Sequence, residues 1–397
     1  NNLDQLSFGG QDGQFSQGTG YEIARLNYYG RINYTYKEKY LFEALFRYDG
    51  SYLFPEDTRY GFFPGASAGW VVSEENFFKD NVSFLDYFKL KGSWGQLGND
   101  NVAPFQFLAS YGFSATGLGD VYTTAYETKV PNTNITWETQ TSANFGFDLR
   151  AINNRLSLGF EVFRNLREDI LTLPNKTLPS YSGITPPAQN IGEFENTGIE
   201  ITAGFNGETN SGLTYNFSFN VSDSNNTLLF VDEPDFADRP WQRETGGELG
   251  RPLLYSFDGV FRSQAEIDSE SLDYSGVTPL LKPGDARVAD INGDGKITPA
   301  DKQRTGGSAF ADTQFGFNTS LAYKNFDFNM YWNGAAGGFN SYEWSFMSGT
   351  LANVQRDVFD RAWSLDNPNA PAPRLADRGD QWYSGQTDYA LITRDFI

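Results

Sequence analysis

A two-residue alternation of apolar and polar side chains most constrains what this chain can fold into, and it is clearest within Trp137–Leu166. The first arm carries apolar residues at every second position: Ala143, Phe145, Phe147 and Leu149. The second arm repeats that spacing: Leu156, Leu158, Phe160 and Val162. Because successive side chains of a strand point to opposite faces, each arm has one apolar and one polar face. Ile152–Asn154 between the arms suits a tight turn, so the segment predicts a β-hairpin.

The same alternation recurs along the chain. It predicts further strands at Arg25–Tyr36, Tyr40–Asp49, Tyr60–Val72, Phe84–Leu97, Phe194–Asn206, Leu213–Val221, Phe315–Tyr323, Phe326–Trp332 and Tyr389–Ile397. Every second connection is short: Lys37–Lys39, Ser73–Val82, Ile152–Asn154, Gly207–Gly212 and Lys324–Asn325. The connections between them are mostly long: Gly50–Arg59, Gly98–Thr136, Ile170–Asn190, Asp223–Asp312 and Ala335–Asp388. Short turns on one side of a sheet and long loops on the other are typical of outer-membrane barrels.

The sequence therefore predicts an all-β fold, a transmembrane antiparallel β-barrel with long extracellular loops. Residues 1–397 are expected to be part of one barrel domain with about eleven strands. Residues 223–312 and 335–388 are predicted to be two long extracellular loops. Aromatic residues beside the short turns are expected to form a girdle at the membrane interface: Tyr34, Tyr36, Tyr40, Phe42, Tyr323 and Phe326.

Composition excludes several classes of function. No run of ~18 apolar residues is present, which excludes a helical membrane protein. The formal charge of −20 argues against nucleic-acid binding, which needs a basic surface. With no histidine there is no Ser-His, Cys-His or zinc-His chemistry in the chain, so we do not expect an enzyme. The opening residues NNLDQLSF lack signal-peptide features, so we expect either a removed signal or an internal segment of a longer protein.

Several short motifs resemble, in order, the signatures of one known family. They are RYDGS (Arg47–Ser51), YGFFPGASAGW (Tyr60–Trp70), LKGSWGQLGN (Leu90–Asn99), PNTNITWET (Pro131–Thr139), NFGFD (Asn144–Asp148), NIGEFENTGIE (Asn190–Glu200), PGDARVADINGDGKITPAD (Pro283–Asp301) and FGFN…YKNFDF (Phe315–Phe328). This collinear series resembles the SusC/RagA-type TonB-dependent receptors of Bacteroidetes.

The resemblance implies a barrel of twenty-two strands around an N-terminal plug in the outer membrane. It implies import of glycans or oligopeptides, a SusD-like lipoprotein that closes the extracellular mouth, and TonB acting on a periplasmic N-terminal segment. The barrel surface would contact outer-membrane lipid. The chain shows no plug, no TonB-contact segment and no closing strands, so we expect a middle-to-late part of a longer receptor.

One segment matches the spacing of an EF-hand-type calcium loop. The predicted side-chain ligands are Asp290, Asn292, Asp294 and Asp301, with Lys296 ligating through its carbonyl and Thr298 directly or through water. The Ca²⁺ would be structural and would stabilise loop 290–301. The alternative is an Asx-rich turn that its own side chain–backbone hydrogen bonds stabilise without a metal.

Aromatic residues in the two longest loops are candidates for stacking on a ligand: Trp241, Tyr255, Phe257 and Trp344. The alternative for each is packing within the loops. Two functions stay open on the residues alone. The first is a TonB-dependent importer, and the second is a calcium-stabilised surface adhesin or binding protein without transport activity. The asymmetry of loop lengths favours the importer.

Overall fold

The computed structural model describes residues 22–118, 120–174, 186–341, 356–375, 383–393 and 395. Its strands are β1 (Arg25–Tyr36), β2 (Tyr40–Ser51), β3 (Tyr60–Val71), β4 (Leu85–Asn99), β5 (Ser110–Leu118), β6 (Asp120–Lys129), β7 (Glu138–Ala151), β8 (Leu156–Thr172), β9 (Gln189–Glu208), β10 (Leu213–Phe230), β11 (Leu253–Tyr255), β12 (Phe257–Val260), β13 (Ala286–Val288), β14 (Lys302–Arg304), β15 (Thr313–Tyr323), β16 (Phe326–Ala336), β17 (Phe339–Ser341) and β18 (Leu391–Thr393). The α-helices are α1 (Asn76–Lys79), α2 (Gln264–Asp268) and α3 (Arg356–Arg361). No helix in these ranges is long and apolar enough to cross a membrane.

Ten strands form one antiparallel sheet in the order β1-β2-β3-β4-β7-β8-β9-β10-β15-β16. Each neighbour in this sheet is the next long strand along the chain, so the sheet is an up-and-down meander. The strands have 11 to 20 residues, long enough for tilted strands to cross a bilayer. This confirms the predicted fold class.

The register of the sheet separates two faces. One row of directly opposed residues is Phe145, Val162 and Ile199, and all three are apolar. The adjacent row, Lys91, Gly146, Glu161 and Glu200, lies on the opposite face and is mostly charged. Because directly opposed residues share a face, the alternation seen in each strand extends over the whole sheet. The apolar face suits lipid and the polar face suits the barrel interior.

The length of the apolar face matches a bilayer. On β10 the outward residues from Leu213 to Val221 are apolar, and the next outward residue is Asp223. Eight residue steps of about 3.4 Å span roughly 27 Å along the strand. A tilted strand of that length covers most of the ~25 Å apolar band of an outer-membrane barrel.

The short turns hold the left-handed backbone that tight hairpins need. Asn153 and Asn154 have φ of 55° and 60°, and Lys37 has 50°. Beside these turns Tyr36 and Tyr40 stack with ring centroids 6.4 Å apart, as expected for an interfacial girdle.

A single carboxylate ties this girdle to the connection after β3. Glu75 accepts hydrogen bonds from Tyr40 Oη (2.7 Å), Lys39 Nζ (2.9 Å) and Trp70 Nε1 (3.2 Å). The bond from Tyr40, followed by those from Lys39 and Trp70, lowers the pKa of Glu75 to about 2. The residue is therefore a carboxylate at neutral pH and fixes the short connections to the strands.

The RYDGS segment forms a polar anchor at the opposite end of β2. Arg47 and Asp49 form a two-point ion pair with distances of 2.9 and 3.1 Å. Ser51 is buried and its hydroxyl donates to Asp100 (2.8 Å), which also pairs with Arg25 (2.9 Å). The motif therefore fixes the long-loop end of β1 and β2.

The structure differs from the sequence prediction at the chain end and in some strand lengths. Leu391–Thr393 pairs with Phe339–Ser341 in a separate two-stranded sheet, because a 3₁₀ turn at Asp388–Ala390 replaces the start of the expected long strand. Within the described residues the main sheet has ten strands, and residues 394, 396 and 397 of the expected eleventh strand lie outside the described part of the chain. The strands β9 and β10 also continue well beyond the apolar band, to 20 and 18 residues.

Candidate functional site

The long connections after β10 and β16 fold together on the long-loop side of the sheet. We call the described residues of 231–312 and 356–393 the loop unit. Its core contains Tyr255, Phe261, Tyr274, Ala286, Val288 and Ile297 from the first connection and Tyr383 from the second. A smaller cluster combines Val260 with Trp363 and Ala370. The two connections that we treated as separate loops are therefore one packed unit.

Polar contacts between the two connections are specific. Arg374 Nε lies 2.7 Å from Asp285 Oδ1, and the Asp285 side chain is 0% exposed. Tyr383 Oη donates to the carbonyl of Ala286 at 2.8 Å. The amide of Phe257 donates to Asp388 Oδ1 at 2.8 Å. Buried charges and hydroxyls that are paired in this way hold the unit in one arrangement.

The structure corrects the role predicted for Tyr255. This residue is only 2% exposed and belongs to the core of the loop unit, with the ammonium of Lys302 5.0 Å from its ring centroid. Burial raises the pKa of Tyr255 to about 12. Its ring is therefore covered by protein and cannot stack on a ligand.

The other predicted aromatic residues have different surroundings. Trp241 is half-buried, and its indole N–H donates to the carbonyl of Ala300 at 3.0 Å, so it packs against the end of the predicted calcium loop. Phe257 packs on Tyr389 with ring centroids 4.7 Å apart. Trp344 lies outside the described residues.

The predicted calcium loop is a closed turn. Asp290 accepts from the amides of Gly295 (2.9 Å) and Gly293 (2.8 Å), and these bonds, the one from Gly295 most of all, lower the pKa of Asp290. Asn292 Oδ1 accepts from the amide of Asp294 at 2.9 Å. Gly293 and Gly295 have φ of 74° and 80°, which favours glycine at both positions.

Asp301 closes the turn from its far end. It is 0% exposed and accepts from the amides of Ile291 (3.1 Å), Asn292 (3.4 Å) and Thr298 (2.8 Å) and from the Thr298 hydroxyl (3.3 Å). A carboxylate has about four lone-pair positions for hydrogen bonds, and these donors use about that many. Asp290, Asn292, Asp294 and Asp301 suit a Ca²⁺ ion by type and spacing, and in this structure each of them accepts hydrogen bonds from within the turn. Among the described residues no group of three or more His, Cys, Asp or Glu is arranged to hold a metal, and calcium here stays a prediction.

The polar face of the sheet carries a cluster of ion pairs. Lys91 Nζ lies 3.2 Å from Asp148 and 3.1 Å from Glu161, and Lys89 Nζ lies 3.5 Å from Asp148. The register places Glu200 directly opposite Glu161 on the same face. Asp148 and Glu161 are partners of lysines in the wall of the barrel, not a catalytic pair.

Sequence reasoning missed the interlocked core of the loop unit and the Arg374–Asp285 pair. Both depend on contacts between residues about ninety positions apart, and neither segment shows a regular alternation. The sequence did contain one indication of this core, namely several aromatic residues within a segment otherwise rich in Asp, Gly and Pro. Such residues indicate a small core and not an open loop.

The chain is similar to known receptors over most of its length. The family model described as TonB dependent receptor-like, beta-barrel matches residues 1–256. TonB-dependent receptor P3 of Formosa agariphila is 33% identical over 370 residues, covering 90% of this chain and 36% of the relative. TonB-dependent receptor SusC of Bacteroides thetaiotaomicron is 28% identical over 384 residues, covering 94% of this chain and 36% of the relative.

Solved structures show the same fold. The RagAB peptide transporter matches with a TM-score of 0.72 at 18% identity, covering 93% of this chain and 39% of that chain. The chain thus spans just over a third of the length of the relatives that it matches. The family is one of outer-membrane receptors without enzymatic activity, which agrees with the lipid-facing and interior faces of the sheet. The chain belongs to the TonB-dependent receptor-like β-barrel family.

Proposed function

We propose that this chain is the barrel part of a TonB-dependent importer that takes up glycans or oligopeptides together with a SusD-like lipoprotein. The observation that carries the proposal is the division of the sheet into an apolar and a polar face, with short turns at one end and the packed loop unit at the other. A soluble binding protein has no need for a continuous apolar outer face. Import would depend on TonB acting on a segment outside these residues.

The loop unit offers a surface for a lipoprotein lid. Its core is closed by its own residues, yet Leu365 is 88% exposed, Phe359 65% and Leu280 63%. Exposed large apolar side chains on an otherwise acidic, well-packed unit favour contact with another protein. One solved structure with this fold is named a peptide transporter and one relative is named SusC, which supports a two-component importer.

The substrate is proposed at the level of class. Neutral amide and hydroxyl groups line much of the polar face from β9 to β16, including Thr202, Asn220 and Asn318. Such groups accept and donate hydrogen bonds to sugar hydroxyls and to peptide backbones alike. Both substrate classes therefore remain within the proposal.

The lid is tested by purifying the whole receptor from its native membrane in mild detergent. We expect a lipoprotein in stoichiometric amount, and we expect the Leu365→Asp/Phe359→Asp variant to lose it while the receptor stays in the outer membrane. Ile152→Asp is the matched control, because Ile152 is 54% exposed in a short turn on the opposite side. Equal recovery of lipoprotein with both variants would exclude the loop unit as its docking surface.

Import itself is tested in cells with labelled oligosaccharides and peptides. We expect uptake that stops when the proton gradient is dissipated. Surface binding without any energy-dependent uptake would contradict the importer and support the adhesin.

A further inference from the structure

Two neighbouring strands of the barrel wall, β3 and β4, separate from each other above the apolar band. The ladder between β3 and β4 runs from Val71–Lys89 to Gly65–Gly95 and ends there. Both strands continue beyond that point with their other neighbours, β3 with β2 as far as Tyr60 and β4 with β7 as far as Asn99. The two strands therefore part toward the long-loop side.

Two further irregularities lie at the same place. The β8–β9 register shifts between Arg167 and Ile170, where Asp169 has a φ of 57°. The β9–β10 register shifts between Leu228 and Phe230. Residues from all three irregularities line one open cavity of about 680 Å³. Bulges that converge on one cavity are typical of binding sites, because they redirect side chains that a regular strand would point elsewhere.

We call this cavity the rim cavity. Its base is rigid. Phe63 packs on Trp137 edge to face with centroids 5.4 Å apart, and the Trp137 indole N–H donates to the carbonyl of Arg59 at 3.2 Å. Asn190 Nδ2 donates to the carbonyls of Thr136 (3.0 Å) and Asp169 (2.8 Å). The cavity is therefore formed before any ligand binds, which lowers the entropic cost of binding.

The lining combines exposed aromatic faces with oxygen-rich polar groups. Tyr60, Phe62 and Phe230 are 43%, 57% and 43% exposed. The carboxylates of Glu168 and Glu193 line the same space, and in the part of the chain that the structure describes no lysine or arginine lines it. Carboxylates accept strongly from hydroxyl groups and repel anions, and aromatic rings cover the apolar faces of sugar rings. This chemistry disfavours anions and suits a polyhydroxylated ligand without negative charge.

The position of the rim cavity indicates where that ligand comes from. Tyr60, Phe62, Gln96 and Thr139 lie in the rows of the lipid-facing side, not of the barrel interior. On β4 the last apolar residue of the outward face before the cavity is Trp94, and the next residue on that face is the polar Gln96. The cavity therefore begins where the apolar band ends. It opens at the polar surface of the outer membrane.

We propose that the rim cavity binds a neutral saccharide at the outer surface of the membrane, outside the transport path. The saccharide is either free in solution or the head group of a neutral glycolipid. Binding at this site does not depend on the importer function, so failure of one does not imply failure of the other.

The test uses the full-length receptor in detergent and calorimetric titration with cellohexaose and maltohexaose, with hexagalacturonate as the anionic comparison. A second arm uses receptor in nanodiscs with or without monogalactosyl diacylglycerol and follows protection of the β3–β4 amides from hydrogen exchange. Saturable binding of a neutral hexasaccharide that Glu168→Gln/Glu193→Gln weakens assigns a free ligand to the rim cavity, whereas protection only by the galactolipid assigns a membrane ligand.

Glu168→Gln/Glu193→Gln should weaken the binding about tenfold, because two hydrogen bonds to charged acceptors are reduced. Glu208→Gln is the matched control on the same strand as Glu193, at the short-turn end and away from the cavity, and it should change the affinity less than about twofold. Binding that the double variant leaves unchanged, preferential binding of the anionic saccharide, or no response in either arm would overturn the proposal.

Discussion

The Arg374–Asp285 pair decides whether the two long connections remain one unit. Asp285 is fully buried and Arg374 is its ion-pair partner from the other connection. Asp285 Oδ2 also accepts from the amide of Lys282 at 2.8 Å, so both oxygens of the carboxylate have partners within the unit. Replacing Arg374 with Gln removes the guanidinium that pairs with this buried carboxylate.

Breaking a buried ion pair by removing one partner costs about 3–5 kcal/mol. Because each 1.4 kcal/mol is a tenfold change, local opening of the loop unit should become more frequent by roughly two to three and a half powers of ten. Arg374→Gln/Asp285→Asn should be less damaging than Arg374→Gln alone, because the buried negative charge is then removed together with the guanidinium. The transmembrane sheet should keep its own stability, since the pair lies outside it.

Hydrogen exchange of the detergent-solubilised receptor measures this opening in peptides that cover β12 and β13. Arg356→Gln is the control, because the Arg356–Asp360 pair is 94% and 59% exposed and exposed pairs contribute little. We expect fast exchange in Arg374→Gln and unchanged exchange in Arg356→Gln. Equal rates in the two variants, or a double variant more damaged than the single one, would refute the role given to the buried charge.

A close glycine contact, the calcium-type loop and a buried tyrosine give three further predictions. Gly146→Ala should lower the yield of folded barrel, because a Cβ at this position would lie 2.1 Å from the carbonyl oxygen of Phe160. The folded fraction is measured as heat-modifiable migration on gels. Gly92→Ala is the control and should fold normally, because its Cβ would lie 3.6 Å from the nearest atom. Calcium titration should show one binding site that Asp290→Asn removes. If the wild-type receptor binds no calcium, the segment is an Asx-rich turn that is stable without a metal. The pKa of Tyr255, raised by burial to about 12, implies stability that is complete below pH 10 and is lost as the pH rises toward 12. Ultraviolet absorbance should therefore lose one late-ionising tyrosine in Tyr255→Phe, while Tyr274, whose pKa burial also raises to about 12, continues to ionise late. An unchanged titration would contradict the burial of Tyr255.

The transmembrane part of the fold was predictable because a single physical constraint acts on every residue in it. Each side chain faces either lipid or the interior, so the alternation in Leu213–Val221 and Leu156–Val162 appears directly in the sequence. The turn at Ile152–Asn154 was predictable for a local reason, the tolerance of Asn for positive φ. The start of β1 at Arg25 and of β2 at Tyr40 follows from the same pattern.

The loop unit was not predictable because its constraint is a three-dimensional core. Tyr255 reads in the sequence as one aromatic residue in a polar segment, and only contact with Phe261, Tyr274 and Tyr383 explains its burial. The predicted start of a long strand at Tyr389 was wrong for a related reason. Its alternation is short, and the 3₁₀ turn at Asp388–Ala390 together with pairing to β17 outweighs it.

The irregular backbone lies where the bilayer no longer imposes order. Within the apolar band every backbone group must be paired by a neighbouring strand, so the ladders there run without a break from β7 to β10. Above the band water satisfies unpaired groups, and the β3–β4 ladder can end at Gly65–Gly95 while β8 bulges at Asp169. On the long-loop side, this chain can depart from a regular wall without cost from the outer surface of the membrane onward, and both the rim cavity and the base of the loop unit begin there. We therefore expect specific ligand recognition by this barrel at the outer surface of the membrane. There the side chains of β3, β4, β8 and β10 need not follow the alternation of lipid-facing and interior-facing positions that the bilayer requires.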